Sequence, residues 1–403
     1  MLMSMTADNI EHVISYWVMF QAFHSPALGG FAVISHWMPY LLFSLHAGAL
    51  ADRYDCRKLI QVSQGLFMLA SVAWGVLFLT GTLRMWHAVV ILLIHGAAGV
   101  VSAPASQLII QDMVRREDLP SAIRLYASSR QLAILLGPGV GGALMLLLDP
   151  AWGLLANVLL YLPLSILLTR IPYTGRAEQD ARRKTRGFGL IEALGVLADA
   201  RREPRIMTMI VLAGVTSFFV GNAFQAQMPE YAHYFGTDET GIWYSVLLGA
   251  NAAGAVLGVL LLESTNVLWP GVRTAILCAG LWAMTMGLFP IVQHYQVAIA
   301  LLILAGVFNI AFASIAQTIV QTLAPATMRG SIVGLFNTAL LGLRAGSGLT
   351  VGVLGAFVGV RVSLVLSALM VVFIVIALFA REARVQNRQA TTVLTAERHS
   401  PWR

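Results

Sequence analysis

Three ionisable side chains near the start of the chain have a spacing that could carry protons. Asp8, Glu11 and His12 stand at i, i+3 and i+4, so they share one face of a helix. An ionisable residue at the centre of a membrane helix costs about 2.5–3.5 kcal/mol, which makes each of them a candidate for function. Two carboxylates held close together out of water resist ionising at the same time, and we expect one of them to take up a proton near neutral pH. Glu11 is the stronger candidate because it lies deeper in the helix, next to His12.

Two arginines in apolar runs, Arg130 and Arg344, are further charged candidates. If Arg130 reaches the first helix, it opposes this proton uptake and is released when a substrate binds. Asp8, Glu11, His12 and Arg130 therefore form the predicted proton-coupling set. Arg344 is interpreted either as a group that lines a substrate cavity or as one held by a structural ion pair or by backbone carbonyls.

Amides and aromatic rings within the apolar runs are candidates for binding a small molecule, although each amide could equally bridge two helices. The predicted substrate-cavity residues are Tyr16, Trp17, Asn222, Gln225, Asn309, Asn337 and Arg344. The histidines show neither an H-x-x-x-H nor an H-E-x-x-H spacing, so we expect no metal site and no cofactor.

The elements that must position these residues are membrane helices. The 403 residues are 58% hydrophobic and 11% charged, whereas soluble domains have about 45–50% apolar and about 25% charged residues. Apolar runs of the ~20 residues that span a bilayer as a helix recur along the chain. Their approximate bounds are 3–22, 29–50, 59–80, 86–113, 122–148, 151–170, 206–231, 241–262, 274–292, 296–323, 332–357 and 362–380. The pattern predicts an all-α polytopic membrane protein with twelve transmembrane helices in two six-helix bundles.

The predicted organisation is an N-terminal bundle at 1–170, a cytoplasmic linker at 171–205, a C-terminal bundle at 206–380 and a cytoplasmic tail at 381–403. The linker is hydrophilic and basic, and its stretch from Leu190 to Leu197 is typical of part of an amphipathic helix. It is either a solvated connection or a site for a soluble partner. Met1 lies almost inside the first span, which predicts a natural start further upstream or a shortened first helix.

An internal repeat connects the two predicted bundles. Gln107, Gln111, Ser121 and Leu125 recur 210 positions later as Gln317, Gln321, Ser331 and Leu335. Halves repeated in parallel orientation are typical of secondary transporters that rock around a site at the membrane midplane.

The basic residues set the predicted orientation. One set of loops and the tail carry most of the arginines and lysines, whereas the opposite loops carry only Arg84 and Arg361. Because cytoplasmic loops are enriched in these residues, both termini are predicted to be cytoplasmic. The net charge of +7 does not indicate nucleic-acid binding, since the basic residues lie between apolar segments. Cys56 and Cys278 form no disulfide framework.

The loop after the second span carries a recognisable motif. Gly48, Asp52, Arg53 and Arg57 match the pattern Gly-x-x-x-Asp-Arg-x-Gly-Arg-Arg/Lys, followed by Lys58, while Asp55 and Cys56 replace the usual Gly and Arg. On these residues the chain resembles the major facilitator superfamily. An Asp at one helix end beside arginines at the next can form a charge-assisted latch that breaks when the bundles rock.

A second motif, in the fifth span, indicates the direction of transport. Gly137, Pro138, Gly141 and Gly142 resemble the antiporter motif of exporters, and small residues let helices approach closely. The stretch from Pro104 to Gly142 is similar to the exporter branch that includes enterobactin and macrolide efflux proteins. The resemblance implies efflux of a siderophore, drug or similar amphipathic compound by proton antiport in a bacterial-type inner membrane. A basic residue that is common in helix 4 of drug antiporters has no obvious counterpart here, where Leu92 and His95 occupy its neighbourhood.

The expected partners are a small-molecule substrate, protons and the lipid bilayer, with no nucleic acid, and the chain is expected to be a monomer. An importer of a metabolite is the alternative in the same structural class. A membrane-embedded enzyme would need a nucleophile–base set or metal ligands within the spans, and a channel would not need the two-bundle repeat. No Walker-type loop for ATP hydrolysis occurs in the sequence, so we expect no enzyme.

Overall fold

The computed structural model describes residues 1–115, 117–175, 197–198, 200–236, 241–264, 271–325 and 329–398, and these residues are helical with short connections. Eight of the described helical segments are long and apolar enough to cross a membrane. The predicted amphipathic stretch of the linker lies almost entirely outside the described residues. Within the described residues the prediction of an all-α polytopic fold is confirmed.

The first bundle, as far as the structure describes it, contains six helices, four of which are bounded by ordinary loops. Ser25 caps the second of them by accepting a hydrogen bond from the Leu28 backbone N–H at 3.3 Å. These four helices are α1 (Leu2–Phe23), α2 (Pro26–Arg53), α3 (Cys56–Leu79) and α4 (Met85–Met113).

The fifth and sixth helices are joined at a sharp break rather than by a loop. The segment Leu119–Arg170 consists of two helices that meet at a kink at Asp149, where φ is 65° and ψ is 159°. We label the two arms α5 (119–148) and α6 (150–170). Pro150 begins the second arm, and a proline at the first position of a helix loses no intrahelical hydrogen bond.

The second bundle repeats this arrangement with more irregular helices. Its seventh helix is interrupted near Gly221, where φ is positive, and its eleventh is assembled from several pieces. The helices are α7 (Pro204–Phe219, continued by Ala223–Ala226 and Met228–Tyr234), α8 (Ile242–Ser264), α9 (Val272–Leu288), α10 (Tyr295–Leu323), α11 (329–358) and α12 (Val360–Arg398).

α12 continues beyond the end of the last predicted span. Hydropathy placed the end of the last span at residue 380 and a tail after it, whereas the helix continues to Arg398. The apolar part of α12, which could cross a membrane, ends at Glu382. Hydropathy follows the part of a helix inside the membrane and does not detect a polar extension of the same helix.

The structure extends the predicted repeat to the helix boundaries. α4 and α10 begin and end at positions separated by the same 210 residues that separate the repeated Gln and Ser residues. The break at Asp149 corresponds in the same way to Gly359, which has φ 89° and separates α11 from α12. The second half therefore has a glycine where the first half has an aspartate in a left-handed conformation.

α11 contains two π-helical stretches, Thr338–Gly342 and Gly348–Val353, on either side of a short α-helical turn. Such stretches widen the helix and leave carbonyl groups without their usual partners. Neighbouring hydroxyl groups donate to these carbonyls: Ser217 of α7 to Leu340 O at 2.6 Å and Ser363 of α12 to Val351 O at 2.8 Å.

The bundles are joined at the end that carries the α1–α2 loop, which we call the closed end. Gln227 donates a hydrogen bond to Pro26 O at 2.7 Å, and Tyr244 donates one to Val13 O at 2.6 Å. The opposite end carries the chain termini, and we call it the open end.

Candidate functional site

The predicted acidic face of α1 points into the first bundle. Glu11 is only 2% exposed, and Oε2 accepts a hydrogen bond from the Ser71 hydroxyl of α3 at 2.5 Å. Its other oxygen, Oε1, lies 2.8 Å from Nδ1 of His95 on α4. A buried carboxylate must be paired and hydrogen-bonded, and both of its oxygens are engaged here.

His95 contacts both carboxylates of α1. While Nδ1 meets Glu11, Nε2 lies 3.0 Å from Oδ1 of Asp8. Among the described residues neither Nε2 nor Asp8 Oδ1 has a hydrogen-bond partner, so their contact lacks the alignment of a hydrogen bond. The imidazole is 5% exposed. Its two nitrogens thus place the buried ring between two acids.

His12 extends the cluster towards α2. Nδ1 lies 2.8 Å from the Asp8 backbone oxygen, and Nε2 lies 3.3 Å from Nδ1 of His36. The rings of His12 and His95 are in edge contact, with centroids 4.8 Å apart. His12 and His36 can pass a proton by exchanging hydrogen-bond roles, whereas His12 and His95 meet only through their ring edges.

α6 supports the cluster from behind. Asn157, fully buried, donates a hydrogen bond to the Ala7 backbone oxygen at 2.9 Å and lies 3.4 Å from the Ser71 hydroxyl. Phe67 stacks on Tyr161 of α6 and contacts the His95 ring edge-on. Packing of this kind fixes the orientation of groups that react.

The cluster therefore combines two carboxylates and three imidazoles from α1, α2 and α4. One ring nitrogen from each of His12, His36 and His95 lies within 4.8 Å of the others, a spacing that could also hold a metal ion. No sequence spacing indicated this, because the three residues belong to different helices. His12 and His95 already contact protein acceptors, and a proton-binding role of the cluster stays a prediction. The absence of a metal site stays a prediction.

Arg130, the fourth residue of the predicted coupling set, does not join the cluster. It is exposed on α5, and no ion pair connects it to Asp8 or Glu11 among the described residues. Arg344 lies half-buried on α11, with its guanidinium carbon 5.0 Å from the ring centre of Trp37 on α2. It forms a cation–π contact across the two bundles, so the predicted alternative of a structural ion pair does not apply within the described part of the chain.

The other predicted cavity residues fall into two groups. Trp17 is buried at the closed end, where it stacks on Tyr244 of α8, and Tyr16 is buried with its ring edge towards His12. The amides are all half-buried in the second bundle, at positions Asn222, Gln225, Asn309 and Asn337. In this conformation the two rings contribute to the closed end, and the amides stay candidates for the cavity.

The predicted gate motif has an unexpected ion pair. Arg57 contacts Asp55, with Nη2 and Oδ2 2.8 Å apart, and donates a second hydrogen bond to Ile171 O at 2.6 Å. Asp55 also caps α3 by accepting a hydrogen bond from the Arg57 backbone. These bonds from Arg57 hold the pKa of the Asp55 carboxyl below its usual value.

The remaining gate residues lie around this pair at the open end. A β-carbon added at Gly48 would meet open space, Lys58 is exposed, and Arg53 is exposed at the end of α2. The side chain of Asp52 lies outside the described residues. Asp55, which replaces the usual Gly, therefore binds the arginine that the sequence assigned to the latch.

The glycines of the antiporter motif lie where helices cross closely. A β-carbon added at Gly137 would lie 2.6 Å from the Asn9 side chain of α1, and one at Gly142 would lie 2.8 Å from Ser245 of α8. Gly141 similarly faces α1, and Pro138 is buried. Gly142 thus forms a crossing between the two bundles.

The family comparison agrees with this architecture. The model of the Major Facilitator Superfamily matches residues 1–343. The chain belongs to this superfamily. It is therefore a multi-pass membrane transporter of the secondary type and not an enzyme.

Curated relatives of this superfamily member match only part of it. A staphyloferrin A transporter of Staphylococcus aureus (strain NCTC 8325 / PS 47) is 23% identical over 164 residues, which are 39% of this chain and 41% of the relative. The uncharacterized MFS-type transporter YvqJ of Bacillus subtilis (strain 168) is 26% identical over 196 residues, 45% of this chain and 43% of the relative. The matched segments thus span about two fifths of these relatives.

Solved superfamily structures share the fold over nearly the whole chain. A bacterial homolog of the human lysosomal transporter Spinster, inward-facing and unoccupied, has a TM-score of 0.69 at 15% identity and covers 95% of this chain and 94% of that chain. The nucleoside transporter NupG has a TM-score of 0.73 at 13% identity and covers 94% of this chain and 96% of that chain. At this identity the likeness concerns the fold alone.

The sequence analysis did not predict that His36 and His95 pack against the acidic face of α1 in this superfamily member. The pattern of helix 4 indicated only that the usual basic residue is lacking, although His95 occupies the centre of the cluster. A single histidine inside an apolar run is itself a signal, because ionisable groups in a membrane helix are costly. His36 carries the same signal in α2.

Proposed function

We propose that this superfamily member exports a small amphipathic molecule, such as a siderophore or a drug, by proton antiport. The observation that carries the proposal is the buried Glu11–His95–Asp8 cluster in the first bundle. A carboxylate that exchanges its proton with an adjacent imidazole can be loaded from one side of the membrane and unloaded to the other. The membrane potential contributes about 2.3 kcal/mol per charge per 100 mV, so one proton per cycle can drive appreciable accumulation.

Alternating access supplies the rest of the mechanism. The closed end and the open end describe one of two states, and rocking of the bundles about their crossings exposes the cluster and the substrate to the opposite side. The loop charges support an orientation in which the open end faces the cytoplasm of a bacterial-type inner membrane. In that orientation this state accepts a substrate from the cytoplasm, as export requires.

The coupling role of Glu11 is tested in a strain from which the native gene is deleted and which is complemented with either the wild-type or the Glu11→Gln gene. Accumulation of ethidium and of a radiolabelled siderophore identifies which compound is exported. For that compound, we expect the Glu11→Gln protein in proteoliposomes to bind substrate but to lose transport driven by a pH gradient. Asp8→Asn should have a milder effect, because its contact with His95 is less well aligned.

Two results would contradict the proposal. Gradient-driven transport by Glu11→Gln at the wild-type rate would exclude this carboxylate as the coupling group. Uptake that occurs only in right-side-out vesicles, and not in inverted ones, would establish the alternative of an importer.

A further inference from the structure

Three histidines from three helices bring one ring nitrogen each close together. His12 of α1, His36 of α2 and His95 of α4 contribute these nitrogens, which lie within 4.8 Å of one another. Nε2 of His12 and Nδ1 of His36 are 3.3 Å apart. Oδ1 of Asp8 lies 3.0 Å from Nε2 of His95 and adds an oxygen to the set. Three imidazoles and one carboxylate thus converge where helices of the first bundle meet.

The spacing of these atoms approaches that of ligands around one tetrahedral ion. With bonds of about 2.0–2.2 Å to zinc, two ligands of a tetrahedron lie about 3.3–3.6 Å apart. The distance between His12 and His36 falls within this range, and the distance between Asp8 and His95 is slightly shorter. The three nitrogens are separated by at most 4.8 Å. Side-chain rotation alone can therefore bring the four atoms around one ion.

The opposite ring nitrogens of two of these histidines are already held as they are in metal sites. Nδ1 of His12 donates to the Asp8 backbone oxygen, and Nδ1 of His95 donates to the ionised Glu11 carboxylate, both at 2.8 Å. Metal-binding histidines almost always donate their second N–H in this way, which fixes the ring and its tautomer. A neutral ring that donates from Nδ1 has its lone pair on Nε2. Nε2 is the atom that faces the other ligands in both residues.

This arrangement leaves two acceptors facing each other inside the protein. In that tautomer His95 Nε2 has only a lone pair to offer to Asp8 Oδ1. Both atoms are buried, and neither has a hydrogen-bond partner among the described residues. Buried polar atoms without a partner are costly, and a cation between them satisfies both.

A divalent ion also fits the charge and the accessibility of the cluster. Asp8 and Glu11 together carry two negative charges when they are ionised, and a buried charge must be compensated. A divalent cation with three neutral imidazoles makes the cluster neutral overall. The side chains of Asp8 and His12 are 30% and 24% exposed, which leaves the ion a route of entry.

We propose that His12 Nε2, His36 Nδ1, His95 Nε2 and Asp8 Oδ1 bind a divalent transition-metal ion of the zinc class. Imidazole nitrogen suits zinc, copper, iron and nickel, whereas magnesium and calcium are held by oxygen ligands. Binding requires His36 to carry its hydrogen on Nε2, because its present contact with the lone pair of His12 needs that hydrogen on Nδ1. Two bonds to the ion then replace the hydrogen bond between the two rings.

The prediction of no metal site rested on ligand spacing along single helices, and it does not extend to ligands that tertiary packing brings together. All four proposed ligands belong to the first bundle, so the ion joins three of its helices and moves with that bundle. The ion uses Nε2 of His95, whereas the contact of His95 with Glu11 uses Nδ1. Ion binding is therefore independent of the transport function proposed above.

The test uses the purified full-length protein in detergent, with an affinity tag that lacks histidine, after removal of metal by a chelator. Cobalt chloride is the probe, because Co²⁺ replaces Zn²⁺ and absorbs visible light far more strongly in a tetrahedral than in an octahedral site. We expect the tetrahedral spectrum to saturate at one Co²⁺ per chain and to be displaced by zinc chloride but not by magnesium chloride. Zinc should also raise Tm, since it binds the folded state.

Variants assign the spectrum to the cluster. His36→Gln and Asp8→Asn each remove one ligand and should weaken cobalt binding by more than the ~10–100-fold that follows the loss of an outer-shell partner. Glu11→Gln removes only such a partner, so it should keep the tetrahedral spectrum with ~10–100-fold weaker binding. The matched control is His24→Gln/His233→Gln, which removes two neighbouring histidines at the closed end whose ring centroids are 6.4 Å apart. It should bind cobalt as the wild type does.

Three results would overturn the proposal: no saturable cobalt spectrum, an octahedral spectrum only, or a tetrahedral spectrum that both His36→Gln and Asp8→Asn leave unchanged. His36→Gln leaves the contact between Glu11 and His95 in place, so it remains informative if Asp8→Asn fails to fold. The measurement involves no substrate and no proton gradient. A protein that binds cobalt in this way but shows no gradient-driven transport would contradict proton coupling alone.

Discussion

His95 contacts two acidic residues of one helix, and this contact determines how the individual side chains of the cluster respond to substitution. Removing one partner of a buried ion pair leaves the other partner charged and unpaired, which costs about 3–5 kcal/mol. Glu11 has the greater burial of the two acids. We therefore expect the removal of His95 to destabilise the Glu11 carboxylate more than the Asp8 carboxylate.

We predict that His95→Gln lowers Tm strongly and that adding Glu11→Gln restores much of the loss, because two neutral amides can hydrogen-bond where a lone carboxylate cannot. The measurement is a double-mutant cycle of thermal unfolding in detergent. His46→Ala, at an exposed position of α2, serves as the control and should leave Tm unchanged. Additive effects of the two substitutions would show that the residues do not act as a pair.

At the scale of residues the sequence predicted one part of the cluster well. Asp8, Glu11 and His12 could be placed on one face because helical periodicity is a local property. His36 and His95 could not be joined to them, since each lies in its own helix and only tertiary packing brings the rings together. The arrangement of Arg57 with Asp55 was missed for a different reason, because the family pattern directed attention to Asp52.

Among the described elements, the α5–α6 break contains a strained residue. Asp149 has φ 65° and ψ 159°, a conformation that is essentially restricted to glycine and costs about 1–3 kcal/mol for other residues. The equivalent position in the second half is Gly359. The first half therefore carries strain that the second half avoids.

We predict that Asp149→Gly raises Tm and the reciprocal Gly359→Asp lowers it. Both effects follow from the left-handed backbone at these positions, and differential scanning fluorimetry measures them. An unchanged or lower Tm for Asp149→Gly would mean that the Asp149 side chain contributes more than its backbone strain costs.

The gate loop gives a prediction about function. Asp52→Asn should strongly reduce transport while expression and Tm remain near wild type. The substitution removes the charge-assisted pair that the gate motif predicts for Asp52, and this loss changes the balance between the two states of the transporter. Asp55→Gly restores the residue usual in the family and releases Arg57, and it should alter transport less than Asp52→Asn does. If Asp52→Asn transported at the wild-type level, the loop would serve only to set the membrane topology.

At the scale of elements, hydropathy predicted the helices within a few residues except at the polar end of α12, because burial in lipid demands about twenty apolar residues per span. It could not predict the π-helical stretches of α11, which depend on hydroxyl groups from α7 and α12. The repeat of 210 residues was found from four matching pairs in the sequence. The equivalence of the breaks at Asp149 and Gly359 could not be found in this way, because the residues differ and only their positive φ angles show it.

For the whole molecule, the charge of the loops predicts which end faces the cytoplasm. Single cysteines at Tyr54, in the α2–α3 connection, and at Thr82, in the α3–α4 connection, are both placed at exposed sites. In a Cys56→Ser/Cys278→Ser background, Thr82→Cys should react with an impermeant maleimide in intact cells and Tyr54→Cys only after permeabilisation. The opposite labelling pattern would invert the orientation and, with it, the direction of transport inferred from the open end.

The crossing at Gly142 has a counterpart in the second half. Gly352 stands 210 positions later, and a β-carbon added there would overlap the Gly30 backbone of α2. α5 thus crosses α8 at one glycine, while α11 crosses α2 at the related one. A line through these two crossings is a natural axis of rotation, about which one end of the transporter opens as the other closes. We expect residues on this axis to move least. Distances from spin labels near Gly142 and Gly352 to labels at either end would therefore measure how far that end moves.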